Sequence, residues 1–230
     1  MSAQLPLALR HSPDQRLDSY IDAPEGLVDS LAALAAGAGE WVYLAVVAGS
    51  GKTHLALAMC EQARQAGCSV AYLPLAAASG QVRDALDALD GHDVVALDGL
   101  EAVAGRRGDE VAVFDFHNRA RAAGACVLYT ATAMPDALGL GLPDLRSRLS
   151  QCIRFVLPVL DDAGRRALLR DRADRRGLLL DEAVIDWLLA HAERDVPGLV
   201  ALLDRLDRAS LAEQRRITVP FLKQVLAAQA

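Results

Sequence analysis

From Trp41 the chain reads WVYLAVVAGSGKTHL: an apolar, β-rich run, a glycine turn, and then Gly51-Lys52-Thr53 opening a helical pattern. A strand, a tight glycine turn and a helix in that order constrain the fold more than any other stretch. The glycines let successive backbone N–H groups face one anion, and the helix adds the positive end of its dipole. Ala48, Gly49, Ser50, Gly51, Lys52, Thr53 and His54 are therefore the residues expected around a bound phosphate. Lys52 would reach the outer phosphates, and the Thr53 hydroxyl would ligand Mg²⁺. Only Lys52 and Lys223 are lysines among the 24 basic residues, so a lysine in this turn is informative. One departure from the G-x-x-x-x-G-K-[ST] spacing stands out, because Val46 occupies the first glycine position.

The rest of the chain follows the same alternation. Apolar strand-like runs recur at 42–47, 69–75, 94–97, 126–130 and 153–157, and helical patterns at 53–66, 80–89 and 110–123 separate the first four. Such alternation predicts a five-stranded parallel sheet with helices on both faces. From Leu160 the pattern is helical only, over 161–176, 181–192, 196–212 and 219–228, with Gly177 as a stop. The expected fold class is thus α/β, followed by a small all-helical domain. The expected boundaries are a tail over 1–12, a base over 13–158 and a helical unit over 159–230.

Composition excludes several function classes. A net charge of −6 argues against broad affinity for nucleic acid, which rests on basic surface. The arginines of 165–176 are interspersed with Asp161, Asp162, Asp171 and Asp174, which predicts an ion-paired, solvated face rather than a nucleic-acid stripe. Cys60, Cys68, Cys126 and Cys152 have no C-x-x-C spacing and lie in apolar segments, so buried reduced thiols in a cytoplasmic protein are expected. No histidine has metal-ligand spacing, and neither a signal peptide nor a membrane span is expected.

A second nucleotide element should be an apolar strand ending in an acid, and residues 93–98, DVVALD, supply it. Asp98 would emerge beside the glycine turn and help Thr53 hold Mg²⁺; its alternative role is a cap before Gly99. Self-hydrolysing ATPases of this type follow that Asp with a second acid that orients water, and here the next residue is Gly99. Glu101 would need a bent backbone to substitute. Binding without efficient self-hydrolysis is the expected consequence.

At this point the chain resembles a known family. GKTHL, LDGLEAVAG, FDFHNRARAAG, TATAMP, GLPDLRSRLS and LDRLDRAS…RRITVPFLK look, in this order, like the DnaA-related AAA+ proteins. The resemblance implies an AAA+ base and a helical lid. It also implies a sensor region at Thr130 and Thr132, and a lid arginine at a position where this chain has Pro197, with Arg194 three residues earlier. With Val46 and Gly99, these departures point to ADP or another nucleoside diphosphate as the bound species, with ATP as the alternative.

The resemblance further implies partners. Gln4, Leu5, Leu7 and Leu9 in the N-terminal segment resemble a motif for docking on the sliding clamp, the β subunit of DNA polymerase III. A short extended peptide suits this, since it loses little ordering entropy. In GLPDLRSRLS the Ser147-Arg148-Leu149 portion matches the box that carries an arginine finger, making Arg148 the finger and Arg146 a supporting cation; a surface pair with Asp144 is the alternative. Phe114 and Asn118 would form a partner surface, or else a core anchor and a helix-end contact. The implied function is negative regulation of replication initiation: tethered to the clamp on DNA, the chain would stimulate hydrolysis of DnaA-bound ATP in trans and leave inactive DnaA-ADP. It would have no autonomous catalysis, would meet DNA only through the clamp, and would work in the cytoplasm at the nucleoid, with homo-oligomerisation left open. The alternatives are a self-turning AAA+ ATPase such as a helicase loader, and a DnaA-like initiator. The latter is disfavoured by the acidic balance and by the absence of a helix-turn-helix region after the lid.

Overall fold

A computed structural model describes residues 16–46, 51–191 and 196–227. The chain divides into two compact units, with the break between Pro158 and Val159.

The first unit is built on five parallel strands, β1 Val42–Val46, β2 Val70–Pro74, β3 Val94–Asp98, β4 Cys126–Ala131 and β5 Ile153–Leu157, ordered β2-β3-β4-β1-β5. The three central strands are buried along their whole length, as continuous apolar runs require when helices cover both faces. Side chains alternate between two cores. Tyr43 and Ala45 point to one, with Val95, Leu97, Val127 and Tyr129; Val42, Leu44 and Val46 point to the other, with Val94, Ala96 and Leu128.

On the first face lie α3 Val82–Asp87, α4 Arg107–Ala123 and α5 Pro143–Ser150; on the second lie α1 Leu27–Ala35 and α2 Lys52–Gln65. The sequence pattern did not separate α1 or α5. Alanine-rich α1 blends into the apolar run before β1, yet buries Leu27, Leu31 and Leu34; α5 is short and announced only by Pro143 at its first turn. Helix α4 begins at Arg107 rather than Glu110, so Glu110 faces inward from its first turn instead of opening it. Of the four cysteines, Cys60, Cys126 and Cys152 are buried free thiols, whereas Cys68 is only half-buried.

The second unit holds α6 Asp162–Arg175, α7 Glu182–His191, α8 Val196–Glu213 and α9 Val219–Ala227 around Leu169, Ile185, Leu188, Leu206 and Phe221. The Asp161 carboxylate caps α6 by accepting the Gly164 N–H at 2.8 Å, and Gly177, at φ +66°, ends its turn. The arginines of α6 are ion-paired: Arg170 to Glu182 at 2.6 Å, Arg175 to Asp171 at 2.9 Å, and Arg166 to both Glu182 and Asp186. Among the described residues no helix is long and apolar enough to cross a membrane, and no group of three His, Cys, Asp or Glu could hold a metal ion.

One buried group on the first face titrates in an accessible range. His117 packs edge-on against Trp41 at 4.5 Å, and its Nδ1 lies 3.1 Å from the Tyr129 hydroxyl. Burial, then the charges of Arg121 and Arg148, push its pKa down to about 4. The unfolded chain binds this proton below about pH 6.5 and the folded chain does not. Stability should therefore be intact above pH 6.5 and fall by roughly 2–3 kcal/mol as pH drops towards 4. Denaturant titrations should show that His117→Gln, compared with the parent, removes that part of the slope.

Candidate functional site

The site forms where β3 ends beside the first turn of α2. Lys52, Thr53 and His54 open that helix, while Ala48, Gly49 and Ser50 lie outside the described residues; Gly51, at φ +93°, leads into it. Asp98 is the last residue of β3 and is buried. Its carboxylate accepts hydrogen bonds from Thr53 Oγ1 at 2.8 Å, from the Tyr72 hydroxyl at 2.8 Å and from Thr130 Oγ1. Thr130 Oγ1 also accepts the Gly99 N–H at 3.0 Å. Asp98 is thus a junction of three elements rather than a local cap.

Tyr72 escaped the sequence reading because an aromatic residue in an apolar strand reads as core. Its signal was its position two residues before the end of β2, where Pro74 pairs with Asp98. Burial and the Asp98 charge push the Tyr72 phenol well up, so it stays a donor. The hydroxyl and carboxylate of Thr53 and Asp98 suit a hard cation with oxygen ligands such as Mg²⁺.

Glu101 meets the condition that the sequence set for it. Gly99 adopts φ +86°, ψ +59°, a left-handed conformation natural to glycine, and a single turn of 3₁₀ helix over Leu100–Ala102 follows. That is the bend Glu101 needed. Its Oε1 receives Lys52 Nζ at 2.6 Å and its Oε2 accepts the Thr132 N–H at 3.1 Å. An acid therefore does reach the loop lysine, two positions later in sequence than the usual one. The two sensor-region threonines are brought to the same site, Thr130 through its hydroxyl and Thr132 through its backbone.

His54 meets the segment entering the base. Its Nε2 lies 3.4 Å from Ser19 Oγ and 3.3 Å from the Arg16 carbonyl, and its ring is 6.4 Å from that of Tyr20. Gln4, Leu5, Leu7 and Leu9 lie outside the described residues, as does Arg194; Pro197 falls in the first turn of α8.

Arg148 sits on α5, exposed, and its side chain makes no ion pair or hydrogen bond among the described residues. The Asp144 alternative is not formed, and Arg146 instead approaches Asp136 at 3.8 Å. Leu145 and Leu149 anchor the opposite face of α5 in the core. The approach to this helix is fixed by Glu110, fully buried, which accepts N–H groups from Gly105 at 2.8 Å, Gly141 at 3.0 Å and Leu142 at 2.7 Å. Phe114 and Asn118 lie half-buried on α4, Phe114 packing partly into the core.

The fold is of the AAA+ type: a five-stranded parallel α/β base followed by a helical unit. Residues 162–226 match the family described as Hda, lid domain. Domain III of the Thermotoga maritima replication initiation protein DnaA superposes with a TM-score of 0.76 at 17% identity, covering 94% of this chain and 97% of that one. AMPPCP-bound DnaA from Aquifex aeolicus gives 0.68 at 22% identity over 84% of this chain and 65% of that one, so this chain spans less than two thirds of it. The Thermotoga maritima RuvB Holliday junction branch migration motor gives 0.65 at 17% identity, covering 93% and 72%. The family match thus covers the helical unit, and the likeness to the solved structures is one of fold.

Replacing Tyr72 by Phe should leave the fold intact and lower its stability by about 1 kcal/mol, the usual worth of one hydrogen bond, or more because Asp98 is charged. Chemical denaturation of the two proteins measures it.

Proposed function

We propose that this chain is a regulator of replication initiation that stimulates hydrolysis of ATP bound to DnaA. Its Lys52–Asp98 site would hold a nucleoside diphosphate, ADP by preference over ATP, with Mg²⁺ at Thr53 and Asp98. The observation that carries the reading is Arg148: an exposed, unpaired guanidinium on a helix whose approach is pinned by the buried Glu110. A preplaced cation with no ion pair among the described residues is what a finger directed at another subunit's phosphates requires. Its planar fork can stabilise charge on a phosphoryl group in transfer, with little reorganisation at the moment of reaction. Phe114 and Asn118, on the helix that packs against α5, would contact DnaA. The tail bearing Gln4, Leu5, Leu7 and Leu9 would dock on the β sliding clamp, so DNA is met only through the clamp and the protein acts at the nucleoid in the cytoplasm. A homo-oligomer is compatible with this geometry and is not required by it.

A second reading is favoured by Glu101. Because the Gly99 bend brings an acid to Lys52, a self-turning AAA+ ATPase such as a helicase loader retains a candidate residue for orienting water. Robust steady-state ATP hydrolysis by the protein alone would select it over the first.

The decisive assay mixes DnaA–ATP, clamp loaded on DNA and this protein, and follows ADP formation with each component omitted in turn. Arg148→Ala should fold normally and lose stimulation by on the order of a thousandfold; Arg148→Lys should recover little of it, and Arg146→Ala should show a smaller defect. If Arg148→Ala were as active as the parent, the trans mechanism would fail. Deleting Met1 to Leu9 should abolish capture by immobilised clamp while leaving the melting temperature unchanged. Undiminished capture would reduce the segment to a plain tail.

A further inference from the structure

The nucleotide site already contains an anion. Lys52 is the residue that reaches the outer phosphates in loops of this kind, and Glu101 Oε1 lies 2.6 Å from its Nζ. The carboxylate is anchored at both oxygens, one on Lys52 and one on the Thr132 N–H at 3.1 Å, and the left-handed turn at Gly99 delivers it there. The lysine side chain is 14% exposed and that of Glu101 35%. The pair thus forms in a partly desolvated cleft, where a charge-assisted bond is stronger than at the open surface.

We infer that Glu101 stands in for a terminal phosphate and makes the site select nucleoside diphosphates over triphosphates. This rests on the nucleotide site assigned above and deepens it. A diphosphate asks Lys52 only for its outer phosphate and leaves Glu101 as the lysine's second anionic partner. A triphosphate brings a further charged group to the same ammonium and must expel the carboxylate or lie against it. Like charges so placed repel, and the triphosphate binds more weakly for it. Because Glu101 also holds the Thr132 backbone, its expulsion would release the end of the sensor strand. Occupancy by a triphosphate would then be felt beyond the phosphate pocket.

Calorimetric titration with ADP and with AMPPCP, which cannot turn over, tests this without relying on activity. The parent should bind ADP more tightly. Glu101→Gln preserves the shape and the acceptor for Thr132 while removing the charge, and should shrink the ADP preference by about tenfold, mainly by tightening AMPPCP. In a Lys52→Ala background the same change should have no such effect, a coupling that general destabilisation would not produce. A parent without preference, or an unchanged ratio in Glu101→Gln, would overturn the inference and leave the nucleotide site standing. A parent that binds neither nucleotide would remove both.

Discussion

The base depends on a single buried carboxylate. Asp98 ends β3, one of the three inner strands, and the three hydroxyls from which it accepts come from α2, β2 and β4. An ionised carboxylate in that position would be costly without partners, whereas three charge-assisted hydrogen bonds offset its desolvation and fix the elements that donate them. The first turn of the phosphate-binding helix is therefore held in register with the sheet by the residue that would also serve a cation there. Structural support and binding chemistry meet in one group.

A second buried carboxylate does the same beside α5. Glu110 binds no cation; it accepts three backbone N–H groups from the loops flanking α4 and preceding α5. Loops of irregular backbone leave such donors unmet, and burying them without an acceptor is expensive. With them satisfied, α5 is anchored at both Leu145 and Leu149, and Arg148 projects from a rigid support. Among the arginines of the lid the opposite holds, since those of α6 are drawn into pairs with neighbouring carboxylates.

The fold was largely legible because its signals are local and periodic. Continuous apolar runs marked the central strands, and helical spacing marked the four lid helices. Helices α1 and α5 were not separated, the first because alanine carries no strong period and the second because eight residues span barely two turns. At the site, Lys52, Thr53 and Asp98 could be read from spacing along the chain. Tyr72 and Glu110 could not, since each acts through a partner distant in sequence. Glu101 was visible as an acid but not as a site residue, because its position depends on one glycine's left-handed dihedral angle rather than on any pattern of types.

Lys52 and Arg148 therefore stand in opposite electrostatic settings. Lys52 is largely enclosed and paired with Glu101, so a phosphate brought there would compete for it. Arg148 is exposed and has no ion pair among the described residues, and its field is felt even by the buried His117. In water an exposed charge contributes little to stability, so the fold neither requires nor opposes leaving Arg148 without an ion pair. The proposed trans mechanism would use this asymmetry: the charge of Lys52 is paired within the subunit, whereas that of Arg148 has no ion pair among the described residues.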